Sequence, residues 1–124
     1  MARLAMGELE AAVMEILWDR GSWLTPGEVR EVLAKERPIS YTTVNTIIRR
    51  LWRKERLVRQ PDGRAFAYRP KQDREAYAAS QMAKILSALK NRPAALSHFV
   101  AGLNPRDKSQ LQRLLNEHKR EVGR

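Results

Sequence analysis

Residues 40–69 constrain the fold most, because a helical pattern is followed directly by a hairpin pattern. Apolar residues recur at helical spacing after Ser40, a residue type that caps helices. They are Val44, Ile47, Ile48 and Leu51. Strand candidates follow at 57–60 and 65–69, around a turn that contains Asp62-Gly63. A helix that leads into a two-stranded ribbon is therefore expected here.

Two further helices are predicted before this stretch. The first, over 7–20, has Leu9, Val13, Ile16 and Leu17 on one face. Thr25-Pro26-Gly27-Glu28 is a capping-box pattern that starts the second helix, which ends before Pro38. The order helix, helix, helix, hairpin is that of a winged helix-turn-helix.

Pro70 marks the predicted boundary between a winged-helix domain, residues 1–70, and a helical domain, residues 71–124. Helices are expected at about 73–90 and 94–101 and after Asn104, so the fold class is mainly α. So short a domain cannot bury their apolar faces alone, and pairing with a second copy is favoured over packing against residues 1–70. The residues predicted to form the dimer interface are Tyr77, Met82, Ile85, Leu89, Phe99, Leu111, Leu114 and Leu115.

The positive charge of the chain is unevenly placed. The formal net charge is +10, and residues 37–69 hold nine Lys and Arg against Glu55 and Asp62. A basic surface can serve solubility alone. Concentration of the charge in one helix and ribbon favours a polyanionic partner instead, because clustered cations release counterions from phosphates.

The third predicted helix has a polar N-terminal end and a cationic C-terminal end, which suits the major groove of DNA, while the ribbon suits neighbouring phosphates or the minor groove. The predicted DNA contacts are Tyr41, Thr42, Thr43, Asn45, Thr46, Arg49, Arg50, Arg53 and Arg64. Alternatives stay open at three kinds of position. Tyr41 could pack at the helix entry, Thr43 and Thr46 could pack through their methyl groups, and Arg50 could pair with Glu10 or Glu15.

Several function classes lack support in the sequence. There is no cysteine, no Gly-rich phosphate loop, no HExxH motif and no Ser/His/Asp set. We therefore predict no enzymatic activity, no cofactor and no metal site. We find no apolar run long enough to cross a membrane and no secretory signal pattern, so no membrane insertion and a cytoplasmic location are expected.

Residues along the whole chain resemble the BlaI/MecI/CopY family of bacterial repressors, most specifically over 7–70. In chain order the matching residues are Leu9-Glu10, 13–18, Thr43-Val44, Thr46, Arg50-Leu51, Lys54, Leu57-Val58, Gly63-Arg64-Ala65, Tyr68 and Pro70. The chain departs from the family at Glu55-Arg56, because Gly usually follows the Lys there. A residue other than Gly would stiffen the corner between helix and wing.

The resemblance implies a homodimeric repressor in the bacterial cytoplasm, at the nucleoid, whose winged helices bind a palindromic operator. Copper-responsive members use a Cys-x-Cys pair, which this chain lacks. β-Lactam-responsive members are inactivated by a protease that cuts before a Phe, usually after Asn. The corresponding pair here is His98-Phe99, where the Phe matches and the Asn does not.

The leading hypothesis is thus a sequence-specific DNA-binding transcriptional regulator. The alternative is a non-specific architectural DNA-binding protein, which would need only the positive charges. The polar end of the third helix argues for the first.

Overall fold

The structure is a computed structural model, which describes residues 6–123 and only the backbone of Met6. In chain order its elements are α1 Met6–Arg20, α2 Pro26–Ala34, α3 Tyr41–Arg53, β1 Leu57–Asp62, β2 Ala65–Pro70, α4 Arg74–Ser87, α5 Arg92–Gly102 and α6 Pro105–Val122. Three helices followed by an antiparallel hairpin make the first part a winged helix, as predicted. The fold class, mainly α, is confirmed.

The hairpin has a tight loop and a fixed register. Asp62 pairs with Ala65, which leaves a two-residue loop of Gly63 and Arg64. Gly63 has a φ of 62°, a conformation that glycine adopts at little cost. At the other end Leu24 forms an antiparallel bridge with Tyr68, so the base of the hairpin is tied to the segment before α2.

The hydrophobic core lies between α1, α2, α3 and the base of the hairpin. Its buried residues are Val13, Met14, Leu17, Leu24, Val29, Leu33, Val44, Ile47, Ile48, Leu51, Leu57 and Tyr68. The four predicted apolar positions of α3 are all among them. This burial fixes which face of α3 is left for solvent.

The predicted helix starts are confirmed at α2 and α3. The Thr25 hydroxyl accepts from the Glu28 N–H at 3.3 Å, and the Glu28 carboxylate accepts from the Thr25 N–H at 3.0 Å. This is the capping box read from the sequence. Ser40 caps α3, since its hydroxyl accepts from the Thr43 N–H at 3.1 Å.

Two predicted boundaries in the C-terminal helices were wrong. The fourth helix ends at Ser87 rather than near residue 90, because hydrogen bonds between residues three apart, such as Leu89 N–H to Leu86 O at 3.2 Å, tighten its end. The fifth begins at Arg92 rather than near residue 94, since Asn91 caps it by accepting from the Ala94 N–H at 3.1 Å. The Asn91 to Pro93 stretch, predicted as a break, therefore includes the first turn of α5.

The chain divides into two compact units, the first ending at Ala79 and the second beginning at Ser80. The domain boundary predicted at residue 70 stays a prediction. The helices of the second unit contain no buried residue among those described. Large apolar side chains there, such as Ile85 at 67% and Leu115 at 57%, are exposed to a degree that leaves the unit without a closed core.

The corner between α3 and the wing carries backbone strain. The Arg56 N–H donates to Leu51 O and the Glu55 N–H donates to Trp52 O, both at 3.0 Å. These are the two bonds of a Schellman motif, which places Glu55 at the position usually held by glycine. Glu55 has a φ of 62°, where a side chain costs energy that glycine avoids.

We expect Glu55→Gly to raise the free energy of unfolding by about 0.5–1 kcal/mol, because relief of the left-handed conformation exceeds the entropy cost of glycine. Thermal and urea unfolding measure this. Glu36→Gly is the control: it removes the same charge from another exposed turn, but φ there is not positive, so it should destabilise. Equal destabilisation by both changes would exclude strain at Glu55.

Candidate nucleic-acid interface

The solvent face of α3 presents the polar residues predicted to contact DNA. Tyr41, Asn45 and Arg49 follow one another at four-residue spacing, so they lie on one face of the helix. Tyr41 and Arg49 are exposed, whereas Asn45 is half-buried. A phenol, an amide and a guanidinium in one row offer donors and an acceptor along the helix.

The wing, which is the hairpin of β1 and β2, lies along one side of this row. Together the row and the wing form a groove of about 360 Å³. The residues that line the groove are Pro26, Tyr41, Asn45, Arg49, Arg59, Arg64, Ala65, Phe66 and Tyr68. Four of the predicted contacts, three from α3 and Arg64 from the hairpin loop, are thus brought together. The lining includes three arginines and no carboxylate, so the groove favours an anion.

The threonines at the start of α3 differ in what their hydroxyls contact. The Thr43 hydroxyl lies 2.9 Å from that of Ser40, and the Thr46 hydroxyl donates to Thr42 O at 2.9 Å. Both hydroxyls thus have a partner at the start of α3, and the Thr46 hydroxyl, which donates its proton to Thr42 O, can only accept a further hydrogen bond. Thr42 is exposed. The predicted DNA contacts of all three remain predictions.

Arg50 and Arg53 lie outside this groove, exposed in the last turn of α3. The alternative of a salt bridge from Arg50 to Glu10 or Glu15 was wrong, because other cations occupy both carboxylates. Lys54 Nζ lies 2.9 Å and 3.1 Å from the two oxygens of Glu10. Glu15 pairs with a residue of α4.

Sequence reasoning missed the aromatic and cationic residues that attach the wing to α3. The guanidinium carbon of Arg59 lies 3.6 Å from the ring centroid of Trp52 and 4.0 Å from that of Phe66. Arg59 stood out only as one of many cations. The alternation in β2 puts Phe66 on the same face as Tyr68, but it does not show which residue of β1 lies beside them.

The start of α4 is fastened to α1 within the first unit. Arg74 Nη2 lies 2.6 Å from Glu15 Oε2 and 2.9 Å from Asp19 Oδ1. The hydrogen bond to Glu15, and then that to Asp19, raise the pKa of Arg74, so it stays charged. Near these ion pairs Tyr77 packs against Trp18, with ring centroids 5.7 Å apart. Tyr77 thus has a contact in its own unit, and its predicted role in dimerisation remains a prediction.

The other residues predicted for dimerisation lie in the second unit. Met82, Ile85, Leu89 and Phe99 line an apolar groove of about 350 Å³ between α4 and α5. On α6, Leu111 is half-buried, whereas Leu114 and Leu115 are exposed. The candidate cleavage pair His98-Phe99 lies inside α5, with Phe99 half exposed.

Comparison with known proteins assigns a family. The profile described as penicillinase repressor matches residues 6–117. The chain belongs to the penicillinase repressor family. The predicted family membership is therefore confirmed. The same match spans the winged helix and nearly all of the C-terminal helices.

Two curated proteins are similar to this chain over most of their length. The transcriptional regulator BlaI of Mycobacterium tuberculosis is 37% identical over 121 residues, covering 94% of this chain and 88% of that protein. The penicillinase repressor of Bacillus licheniformis is 28% identical over 120 residues, covering 92% and 91%. The solution structure of the DNA-binding domain of the repressor BlaI has 30% identity and a TM-score of 0.49, covering 58% of this chain and 84% of that one.

Neither a candidate metal-binding group nor a candidate membrane-spanning helix is found in the part of the chain that the structure describes. Over residues 6–123 no three His, Cys, Asp or Glu side chains are grouped to hold a metal ion. No helix in the same range is long and apolar enough to cross a membrane. The predicted absence of cofactor and metal stays a prediction.

Proposed function

We propose that this chain is a homodimeric transcriptional repressor that binds double-stranded DNA at a palindromic operator. The observation that carries this proposal is the groove between α3 and the wing, which is lined by Asn45 and Arg49 of α3 and by Arg64 of the hairpin loop. An amide can read the edge of a base, and guanidiniums can hold the phosphates that flank it. Membership of the penicillinase repressor family supports the same function.

The second unit supports the homodimer. Its helices bury no residue among those described, and apolar side chains remain exposed on α4, α5 and α6. A second copy would cover them through a symmetric interface, which is the commonest form of protein oligomer. Two winged helices related by a two-fold axis then fit two half-sites of opposite direction, which is a palindrome.

Competition binding tests this function against the architectural alternative. A palindromic operator, found by genome-wide chromatin immunoprecipitation of the tagged protein, is compared with random duplex of the same length at several salt concentrations. We expect a preference for the operator of at least about 10³ at physiological salt. Equal binding to both duplexes would reject the repressor and favour a non-specific DNA-binding protein.

The salt dependence of binding should identify the phosphate contacts. We expect Arg53→Gln and Arg64→Gln each to weaken binding to operator and to random duplex together, and to lower the slope of log K against log [salt] by about one unit. Arg20→Gln is the control, since it removes the same charge from the last turn of α1, outside the groove between α3 and the wing. An unchanged slope in either variant would remove that arginine from the phosphate contacts.

The proposal also includes a partner and a location. The partner is an inactivating protease, and the location is the bacterial nucleoid. The His98-Phe99 bond lies inside α5. Cleavage there requires local opening of this helix, because a protease binds its substrate in an extended form. In a single chain Phe99 is half exposed and α5 contains no buried residue, so opening is favoured once the two copies separate. A repressor of chromosomal genes acts in the cytoplasm, where the nucleoid lies.

A further inference from the structure

Arg59 occupies an unusual place for a cation in a DNA-binding wing. Its guanidinium lies between two aromatic rings, 3.6 Å from the centroid of Trp52 and 4.0 Å from that of Phe66. Trp52 belongs to the last turn of α3, whereas Phe66 belongs to β2. One side chain of β1 thus joins α3 to the opposite strand of the wing.

The hairpin register explains why these groups meet. Arg59 pairs with Tyr68, and Phe66 pairs with Pro61, so Phe66 is the diagonal neighbour of Arg59 on the same face. That face leads into the core at Tyr68, which is buried. Arg59 therefore lies next to the buried base of the hairpin, where it contacts Trp52 of α3.

The loop end of the wing needs a contact of this kind to hold its position relative to α3. Residues 60–66 are all exposed, and the hairpin is a two-stranded sheet, which holds its shape poorly without packing. Arg64, in the loop, faces Asn45 and Arg49 across the groove. The position of Arg64 relative to α3 depends on what fixes the strands between the loop and Tyr68.

We propose that Arg59 is a positioning residue that clamps the wing to α3 and so places Arg64 on the DNA. This inference rests on the proposed DNA-binding function. Its chemistry requires arginine, because a planar guanidinium stacks on two rings at once whereas an ammonium does not. Among the ion pairs of the described residues none includes Arg59, so the rings are what hold it.

A double-mutant cycle on DNA separates this role from a direct phosphate contact. Arg59→Lys keeps the charge but loses the stacking. We expect it to weaken operator binding about tenfold and to lower the salt slope by about one unit, because the contact of Arg64 is lost. In an Arg64→Gln background the same change should cost less than about twofold, whereas in an Arg53→Gln background the full tenfold should remain.

The free protein provides a second test that does not depend on DNA. NMR relaxation should show that Arg59→Lys increases the motion of the amides of Gly63 and Arg64, while those of the core of α3 are unchanged. Arg69→Lys is the matched control, because Arg69 covers Trp23 at 4.7 Å near the base of the same hairpin. It should leave the loop amides as ordered as in the wild type.

The outcomes distinguish the two proposals. Wild-type binding of operator in Arg59→Lys, with an unchanged salt slope, would overturn the clamp. Unchanged loop order would overturn it as well, as would equal losses in the Arg64→Gln and Arg53→Gln backgrounds. If the wild type itself prefers no operator, the repressor proposal fails, and the relaxation experiment still decides whether Arg59 orders the wing.

Discussion

Replacement of Leu111 and Leu115 by aspartate should convert the proposed dimer into monomers. The two leucines lie four residues apart on α6, and Leu115 is 57% exposed in a single chain. In the proposed dimer they pack against the second copy. An aspartate there would bury a charge without a partner, which costs far more than the apolar contact that it removes.

The effect on DNA binding should be larger than that of any single contact. Two linked winged helices bind an operator with the advantage of effective concentration, so the monomer should bind about 10²- to 10⁴-fold more weakly. Sedimentation equilibrium gives the mass, and a binding titration on the palindrome gives the affinity.

Gln112→Asp with Asn116→Asp is a matched control for this change. These residues have the same four-residue spacing on a neighbouring face of α6, where the Gln112 amide donates to the Asn116 side chain at 3.3 Å. The control adds the same two negative charges, so it measures their repulsion of DNA. A leucine variant that still sediments as a dimer would place the interface elsewhere.

The first unit could be predicted closely because its signals are local. The capping box at Thr25, the cap at Ser40 and the glycine at residue 63 each act within a few residues, and the structure keeps all three. The buried face of α3 followed from its periodicity alone. Local chemistry and hydrophobic pattern agree here, which is why the winged helix could be read from the chain.

The clamp at Arg59 could not be predicted, because it depends on two facts that sequence does not provide. One is the register of the hairpin, which puts Phe66 diagonal to Arg59. The other is the direction in which β1 leaves α3, set by the left-handed conformation of Glu55. The pairing of Glu10 with Lys54 rather than Arg50 could not be predicted either, since the partner depends on how α1 crosses α3.

Asn45→Ala should reduce the preference for operator over random duplex more than any other single change on α3. Asn45 is half-buried in the groove, between Tyr41 and Arg49 one turn on either side. Its amide can form two hydrogen bonds with an adenine edge. Their loss should weaken operator binding by about 1–3 kcal/mol while leaving random duplex nearly unaffected.

The comparison with Arg53→Gln makes this test specific. That variant should weaken both duplexes by a similar factor, because a phosphate contact carries no sequence information. Asn45→Ala should instead leave the salt slope unchanged, since no charge is lost. Titrations of both variants on the operator, on operators changed at one base pair and on random duplex provide the measurement. If Asn45→Ala weakened all of these duplexes equally, Asn45 would hold the backbone, and base recognition would have to come from another residue of the groove.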